Sequence, residues 1–244
     1  MKPLTNTTAA CFLLIVAIWG GCKKEDQLYP NPVADFSFDG ANIFAPAKVV
    51  FTNRSIDANS FTWDFGDGST SYDRDTYHLF RYGGTFNVTL TAMNGQNGSN
   101  KLTKTVTIRN APTKLSITKV EVTKMPFTNS NGAGWDLLSG PDVYFKISDD
   151  SGADYFTSGG RDDQTSANMP LSYISGLPYV ITNLDFRFRI DLWDYDNALS
   201  SDWIGGNYFK VRDFMPTNGD LYPPLFELGS PTSVVRFRLS MTWQ

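Results

Sequence analysis

The chain is short of the residues that build most catalytic sites. Only one of its 244 residues is histidine, His78, and its two cysteines, Cys11 and Cys22, both lie near the N-terminus. Without a second histidine or a later cysteine, the folded part has no residues for a histidine–cysteine zinc site and no cysteine nucleophile for a triad. Disulfides cannot hold the folded part together either. We therefore expect a non-enzymatic protein in which His78 is packed and hydrogen-bonded.

A strong charge of either sign is also missing. The chain has 21 basic and 25 acidic residues and a net charge of −4, so it has no basic field and we expect no nucleic-acid partner. Hydrophobic residues make up 41% of the chain and aromatic residues 14%, with 20 glycines and 13 prolines. This composition, without a long helical period, predicts an all-β protein. Its length predicts one or two domains.

Long hydrophobic runs are absent as well. The longest, residues 9–19, has eleven residues, whereas a membrane-spanning helix needs about 20. It follows Lys2 and has the character of the apolar region of a signal peptide, which we place at residues 1–21. Polar residues 22–32 then form a short tether. The export that this implies places the folded part outside the cytoplasm.

The end of the signal peptide carries a further pattern, Gly20-Gly21-Cys22. Small residues directly before a cysteine resemble the lipobox of bacterial lipoproteins, which implies that Cys22 is lipidated and anchors the chain to a membrane. Trp19 stands where that family has a branched aliphatic residue, so ordinary cleavage stays open. Acidic residues soon after the cysteine resemble export signals of surface lipoproteins. The resemblance implies an outward-facing protein of the bacterial outer membrane.

Residues 33–109 contain short alternating strands separated by turn dipeptides, a pattern typical of an immunoglobulin-like sandwich. Two stretches stand out, WDFGDGSTS at residues 63–71 and HLFRYGGTFNVTLTAMN at residues 78–94. Both resemble the PKD domain. We expect Trp63 to be a buried core anchor, and we expect Asp64 and Asp67 to bond nearby backbone N–H groups rather than a metal.

A second sandwich is predicted over residues 114–244, after a linker at residues 110–113. Five of its aspartates fall into two sets. The first has members six positions apart, Asp136 and Asp142, and the second has offsets of two and then six, Asp194, Asp196 and Asp202. Both spacings, together with GPDVYFKI and LWDYD…DWIGG, resemble the calcium loops of a C2 domain. The resemblance implies an eight-stranded antiparallel sandwich that holds Ca²⁺ between loops at one end. The alternative is that all five are solvated aspartates in surface turns.

The chain is thus expected to be two β-sandwiches in tandem, anchored by lipid and acting as an envelope binding or adhesion module. The calcium end would present a site for a protein, a glycan or a lipid headgroup. Two alternatives stay open. Asp194 and Asp196 could serve acid–base chemistry in an accessory or catalytic component of a glycan-degrading system. The chain could instead be a scaffold subunit of an envelope assembly.

Overall fold

A computed structural model of the chain describes residues 30–136, 140–197 and 200–244. These ranges contain sixteen β-strands, which pair antiparallel, and two 3₁₀ helices, Ser166–Asn168 and Val211–Phe214. Neither helix in this part of the chain has the length or apolar character needed to cross a membrane. The prediction of an all-β protein is confirmed. The proposed signal peptide, Cys22 and most of the tether lie outside the described residues.

The first domain is a sandwich of a three-stranded and a four-stranded sheet. The three-stranded sheet has the order β1-β2-β5 and the other the order β4-β3-β6-β7. The strands are β1 (Phe36–Asp39), β2 (Ala47–Asn53), β3 (Ser60–Asp64), β4 (Thr70–Ser71), β5 (Thr76–Phe80), β6 (Gly84–Met93) and β7 (Ser99–Ile108). Along β2, every second side chain is buried, as expected for a strand with one face on a core.

Trp63 lies at the centre of this first core. It has no exposed surface, and its ring packs edge-on against Phe36 with 5.1 Å between the ring centroids. The indole Nε1–H donates to the Asp73 carbonyl over 2.9 Å, so the polar edge of the ring is satisfied. Phe61 and Phe65 are buried beside it. The prediction of a buried Trp63 is confirmed.

The second domain contains the remaining nine strands in two sheets. One has the order β10-β9-β13-β14, and the other β11-β8-β16-β15 with β12 also paired to β8. The strands are β8 (Leu115–Lys124), β9 (Val143–Asp149), β10 (Asp154–Thr157), β11 (Leu171–Tyr173), β12 (Tyr179–Ile181), β13 (Arg187–Asn197), β14 (Ser200–Lys210), β15 (Leu225–Leu228) and β16 (Arg236–Trp243). Because β11 and β12 pair successive halves of β8, they act as one interrupted strand, and the sandwich has eight strand positions.

The core of the second domain follows the same alternation. On β9, Val143, Phe145 and Ile147 have no exposed surface, and Phe237 and Leu239 of β16 face them from the opposite sheet. The last strand ties the end of the chain into the sheet through eight residue pairs with β8. The core cluster is apolar, so the buried carboxylates of this domain, Asp149, Asp191 and Asp194, lie outside it.

The two domains touch beyond the linker. The Tyr222 hydroxyl donates to the Ala45 carbonyl over 2.8 Å, and the Lys48 N–H donates to the Gly219 carbonyl over 3.2 Å. Gly219 has a φ of 87°, and a Cβ there would lie 2.7 Å from the Lys48 nitrogen, so only glycine allows this approach. The contact borders a cavity of about 360 Å³ between the domains.

Candidate metal centre

Three connections meet at one end of the second sandwich. β9 and β13 run antiparallel, so the start of β9 lies beside the end of β13, and Val143 pairs with Asp194. An isolated bridge between Val143 and Arg161 brings the β10–β11 connection to the same end. Aspartates from the β8–β9 connection, the β10–β11 connection and the β13–β14 hairpin are therefore placed close together by strand pairing.

The acidic cluster at this end consists of Asp136, Asp194 and Asp196. One carboxylate oxygen from each lies within 4.8 Å of the others. Asp136 comes from the β8–β9 connection, whereas Asp194 and Asp196 lie on β13. The C2 resemblance predicted that these last two lie in a loop, but β13 continues through both because it is paired to β14 along this stretch. Their spacing of two puts both side chains on one face of the strand.

Asp194 is the most enclosed member of the cluster. It has no exposed surface, and its Oδ1 accepts the Asp142 N–H over 2.7 Å. Its Oδ2 is also buried, yet it has no hydrogen-bond partner among the described residues. Burial raises the pKa of Asp194 to about 6; the Asp142 N–H opposes this rise, while the charges of Asp136 and Asp196 add to it.

Asp136, in the β8–β9 connection, also has a buried carboxylate oxygen and a raised pKa. Its Oδ2 is buried and, within the described part of the chain, accepts no hydrogen bond. Burial raises the pKa of Asp136, and the charges of Asp142, Asp196 and Asp163 raise it further. Two buried carboxylate oxygens without donors are costly, because each forfeits its hydration without gaining a partner.

Asp142 and Asp202, the other two predicted ligands, lie outside the cluster of three. Asp142 is held by the third loop, since its Oδ1 accepts the Asp163 N–H over 2.7 Å. Asp202 is exposed on β14, directly across from Asp194 in the strand register. The structure therefore brings three of the five aspartates together, keeps Asp142 close enough to affect the pKa of both Asp136 and Asp194, and leaves Asp202 at the edge.

Asp163 was not among the ligands predicted from the sequence. It lies in the β10–β11 connection, has a φ of 54°, and contributes to the raised pKa of Asp136. The sequence offers only the pair Asp162-Asp163 in a polar loop, without a spacing that marks it. Its position depends on the bridge between β9 and Arg161, which is a tertiary contact.

The chemistry of the donors fits a hard cation. The cluster contains only carboxylate oxygens, which suit Ca²⁺, whereas zinc and copper sites favour imidazole and thiolate. A divalent ion would supply the partner that Asp136 Oδ2 and Asp194 Oδ2 lack. Loops from three connections also suit the flexible geometry and high coordination number of Ca²⁺ better than the tight octahedron of Mg²⁺.

Carboxylates of the first domain are arranged differently. Asp64 Oδ1 accepts the Gly66 N–H over 2.9 Å, and Asp67 Oδ1 accepts the Ser69 N–H over 3.0 Å. The other Asp67 oxygen lies 2.7 Å from His78 Nε2, whose ring stacks on Phe65 with centroids 4.2 Å apart. Partial burial alone would raise the pKa of Asp67, but the bonds from His78 and Ser69 lower it. His78 is packed and hydrogen-bonded, as predicted.

Comparison with known proteins identifies the first domain. Residues 30–109 match the family model of the PKD domain. This segment is a PKD domain. It is similar to the PKD1 domain of Vibrio anguillarum Epp, with 25% identity, a TM-score of 0.31, and coverage of 34% of this chain and 99% of that domain. The PKD1 domain of the Vibrio cholerae metalloprotease PrtV is 28% identical, with a TM-score of 0.30 and coverage of 33% and 100%.

A longer match reaches into the second domain. A structure described as a carbohydrate-binding module of the β-sandwich superfamily is 12% identical, with a TM-score of 0.34, and covers 89% of this chain and 92% of that one. The PKD family model ends at residue 109. The C2 resemblance of residues 114–244 stays a prediction.

Proposed function

We propose that this protein is a lipid-anchored, non-enzymatic binding module of the bacterial outer membrane whose second domain binds Ca²⁺ at its loop end. Asp136, Asp194 and Asp196 would supply the first ligands, with Asp142 and Asp163 adding charge from the adjoining loops. Cys22 would carry the lipid, and residues 22–32 would link the PKD domain to the membrane. Ten such residues span at most ~35 Å, so the first domain would lie close to the bilayer.

The observation that carries the calcium proposal is the buried, unpartnered Oδ2 of Asp194. A fully buried carboxylate without a donor on one oxygen destabilises a fold, especially beside two more carboxylates. A calcium ion removes that penalty and converts the repulsion into attraction. Bound Ca²⁺ would then lock the three connections together and give the loop end a fixed shape for a protein, glycan or headgroup.

Burial of Asp194 also favours a binding module over an enzyme. A glycosidase needs its two carboxyl groups on either side of a cleft, at about 5–9.5 Å, with both reachable by substrate. Asp194 has no exposed surface and lies in one cluster with Asp196 and Asp136. The roles of an envelope scaffold and of an accessory subunit of a glycan-degrading system both remain compatible with a calcium-organised loop end.

Thermal unfolding of the purified protein in chelator and in calcium tests the proposal. For an extracellular site with a Kd of roughly 10⁻⁴–10⁻³ M, calcium at ~100 times Kd should stabilise the second domain by about 2.7 kcal/mol. Mg²⁺ should give a smaller shift. The double variant Asp194→Asn/Asp196→Asn should give none, while Asp150→Asn at the other end of β9 should respond like the unmodified protein. An unmoved melting curve in calcium, or an equal shift in the double variant, would reject the site.

The anchor is tested separately. Replacing Cys22 by Ser should release the protein from the membrane fraction or block its processing, because the acylated sulfur is removed. The calcium response of the released protein should persist, since the cluster is far along the chain from residue 22. Processed Cys22→Ser protein that still sediments with membranes would contradict lipidation.

A further inference from the structure

The outer face of the sheet β10-β9-β13-β14 presents large aromatic side chains, and two of them lie on its edge strand. Trp203 and Tyr208 lie on β14, the edge strand of this sheet, and are 50% and 49% exposed. Tyr208 is paired with Arg189 across the sheet, and Trp203 with Trp193. Half-exposed rings of this size favour binding of a partner, because their apolar faces remain in contact with water until they are covered.

Trp203 is held in place by a buried carboxylate. Its indole Nε1–H donates to Asp191 Oδ1 over 2.7 Å, and Asp191 is only 4% exposed. Room for that carboxylate comes from Gly206, since a Cβ at this position would collide with Asp191 Oδ1. The exposed ring therefore has a fixed orientation before any ligand arrives, which lowers the entropy lost on binding.

Arginine side chains fill the spaces beside the rings. The Arg189 guanidinium lies 5.4 Å from the Trp203 ring centroid and 5.5 Å from that of Tyr208. The Arg187 guanidinium lies 4.1 Å from the Tyr208 ring centroid. The result is a row of alternating rings and cations along β14, stiffened by cation–π contacts.

The charges of this face are balanced within it. Its cations each have an acidic partner, at 2.9 Å for Arg189 and Asp191 and at 2.7 Å for Lys146 and Asp154. Arg187 lies 3.6 Å from Asp150. The face thus offers many hydrogen-bond donors and acceptors but little free charge. An acidic ligand would have to disrupt ion pairs, and an apolar protein surface would find the rings separated by guanidinium groups.

We propose that Trp203 and Tyr208 form a platform for a neutral glycan. The positively polarised C–H groups of a sugar pack on the negative faces of the two rings. Its hydroxyl groups accept hydrogen bonds from the guanidinium groups of Arg187 and Arg189, whose side chains are 59% and 33% exposed. None of these residues belongs to the cluster of Asp136, Asp194 and Asp196, so the platform is a second site that does not require calcium.

The test is the migration of the full protein through native gels that contain neutral polysaccharides, namely glucan, mannan, galactan and xylan, or an acidic one, polygalacturonate. At least one neutral polysaccharide should retard the protein, in calcium and in chelator alike. Trp203→Ala and Tyr208→Ala should each weaken retardation about tenfold or more, and Tyr72→Ala on the first domain should change nothing.

Because Trp203→Ala also uncovers Asp191, Tyr208→Ala is the variant that preserves the Trp203–Asp191 hydrogen bond and keeps the test interpretable. The proposal is overturned if no neutral polysaccharide retards the protein, if only the acidic one does, or if both alanine variants migrate like the unmodified protein. Trp203-dependent self-association in sedimentation, without retardation, would instead make this face a protein interface. Calcium failing to shift the melting curve would leave the platform standing.

Discussion

Aspartates in a turn of the first domain and on strand β13 of the second domain have opposite surroundings. In the PKD domain, Asp67 places one oxygen on the Ser69 N–H and the other near His78. In the second domain, Asp194 places one oxygen on the Asp142 N–H and leaves the other buried without a partner in the described ranges. In the first arrangement, both carboxylate oxygens have hydrogen-bond partners. The second lacks a positive charge, and this difference separates a structural turn from a candidate metal site.

The second domain provides its own counterexample. Asp149, at the end of β9, accepts hydrogen bonds from the Ser151 hydroxyl at 2.6 Å and from the Tyr155 hydroxyl at 2.8 Å. These bonds, the one from Ser151 first, lower the pKa of Asp149 to about 2. A carboxylate at one end of the sandwich is thus fully satisfied, while two at the other end are not. The difference lies in the partners, not in the residue type.

The largest effect is expected from breaking the first domain while leaving the second intact. Trp63→Ala should lower the free energy of unfolding of the PKD domain by about 3–5 kcal/mol, because a fully buried aromatic ring is replaced by a cavity. Denaturant unfolding followed by fluorescence measures this, with Tyr72→Ala as a surface control. The calcium shift of the second domain should survive. An unchanged midpoint would place Trp63 outside the core.

Amide substitutions should affect the two kinds of carboxylate in opposite directions. In chelator, Asp194→Asn should raise the free energy of unfolding by roughly 1–3 kcal/mol, since a neutral amide replaces an unpartnered buried charge. Asp67→Asn should lower it by about 1 kcal/mol, because the hydrogen bond to His78 is weakened.

Paired thermal melts in chelator and in calcium separate these cases. Calcium should cancel the advantage of Asp194→Asn, because the unmodified protein gains the ion and the variant does not. Asp67→Asn should behave alike in both conditions. A loss of stability for Asp194→Asn in chelator would mean that its carboxylate already has a favourable partner.

The pH dependence of stability should show the same contrast. The raised pKa of Asp194 means that the metal-free fold binds a proton more tightly than the unfolded chain, so this contribution is present below about pH 4 and is lost as pH rises through about 6. The lowered pKa of Asp149 acts in reverse, and its contribution is lost as pH falls from about 4 towards 2. Calcium binding should tighten as pH rises through about 6.

Melts in chelator across this range measure both limbs. Asp194→Asn should reduce the change in stability between about pH 4 and 6, to which the raised pKa of Asp136 also contributes. Asp149→Asn should reduce the change between about pH 2 and 4 without affecting the other. If the change between pH 4 and 6 is as large in Asp194→Asn as in the unmodified protein, Asp194 does not contribute to it.

The smallest effect concerns the contact between the domains. Tyr222→Phe removes one hydrogen bond, to the Ala45 carbonyl, which is worth about 0.5–1.5 kcal/mol. Looser docking should reduce the hydrogen-exchange protection of the Lys48 amide, which donates to Gly219. Tyr82→Phe, on a side chain that is 79% exposed, is the matched control. Equal protection in both variants would show that the contact does not depend on this bond.

Much of the fold could be predicted from local pattern. Alternation along β2 and β16 depends only on the two-residue period of a strand, and both strands bury alternate side chains over most of their length. The turn at residues 64–69 was predictable because its carboxylates bond to N–H groups two positions away. Such features involve neighbours in the chain, so composition and spacing carry them.

The candidate site was predictable only in part. The spacing of two placed Asp194 and Asp196 on one face, but whether they would be exposed depended on how far β13 continues, which its pairing with β14 decides. Asp163 is brought near the cluster by the bridge between Val143 and Arg161. These two residues are 18 positions apart, and no spacing in the sequence predicts their contact. Asp202 fits the spacing and lies across from Asp194 in the strand register, yet it is exposed and lies outside the cluster.

By itself, the sequence determined the all-β class, the buried Trp63 and the supply of carboxylates near the ends of strands, because side-chain period, ring size and charge are local properties. The tertiary structure decided which carboxylates lose water without gaining a donor. It also decided that the Trp203 indole donates a hydrogen bond to Asp191, which pairs with Gly206 across the sheet. Burial and partnership depend on how distant segments pair, and desolvation of a charge depends on everything that surrounds it.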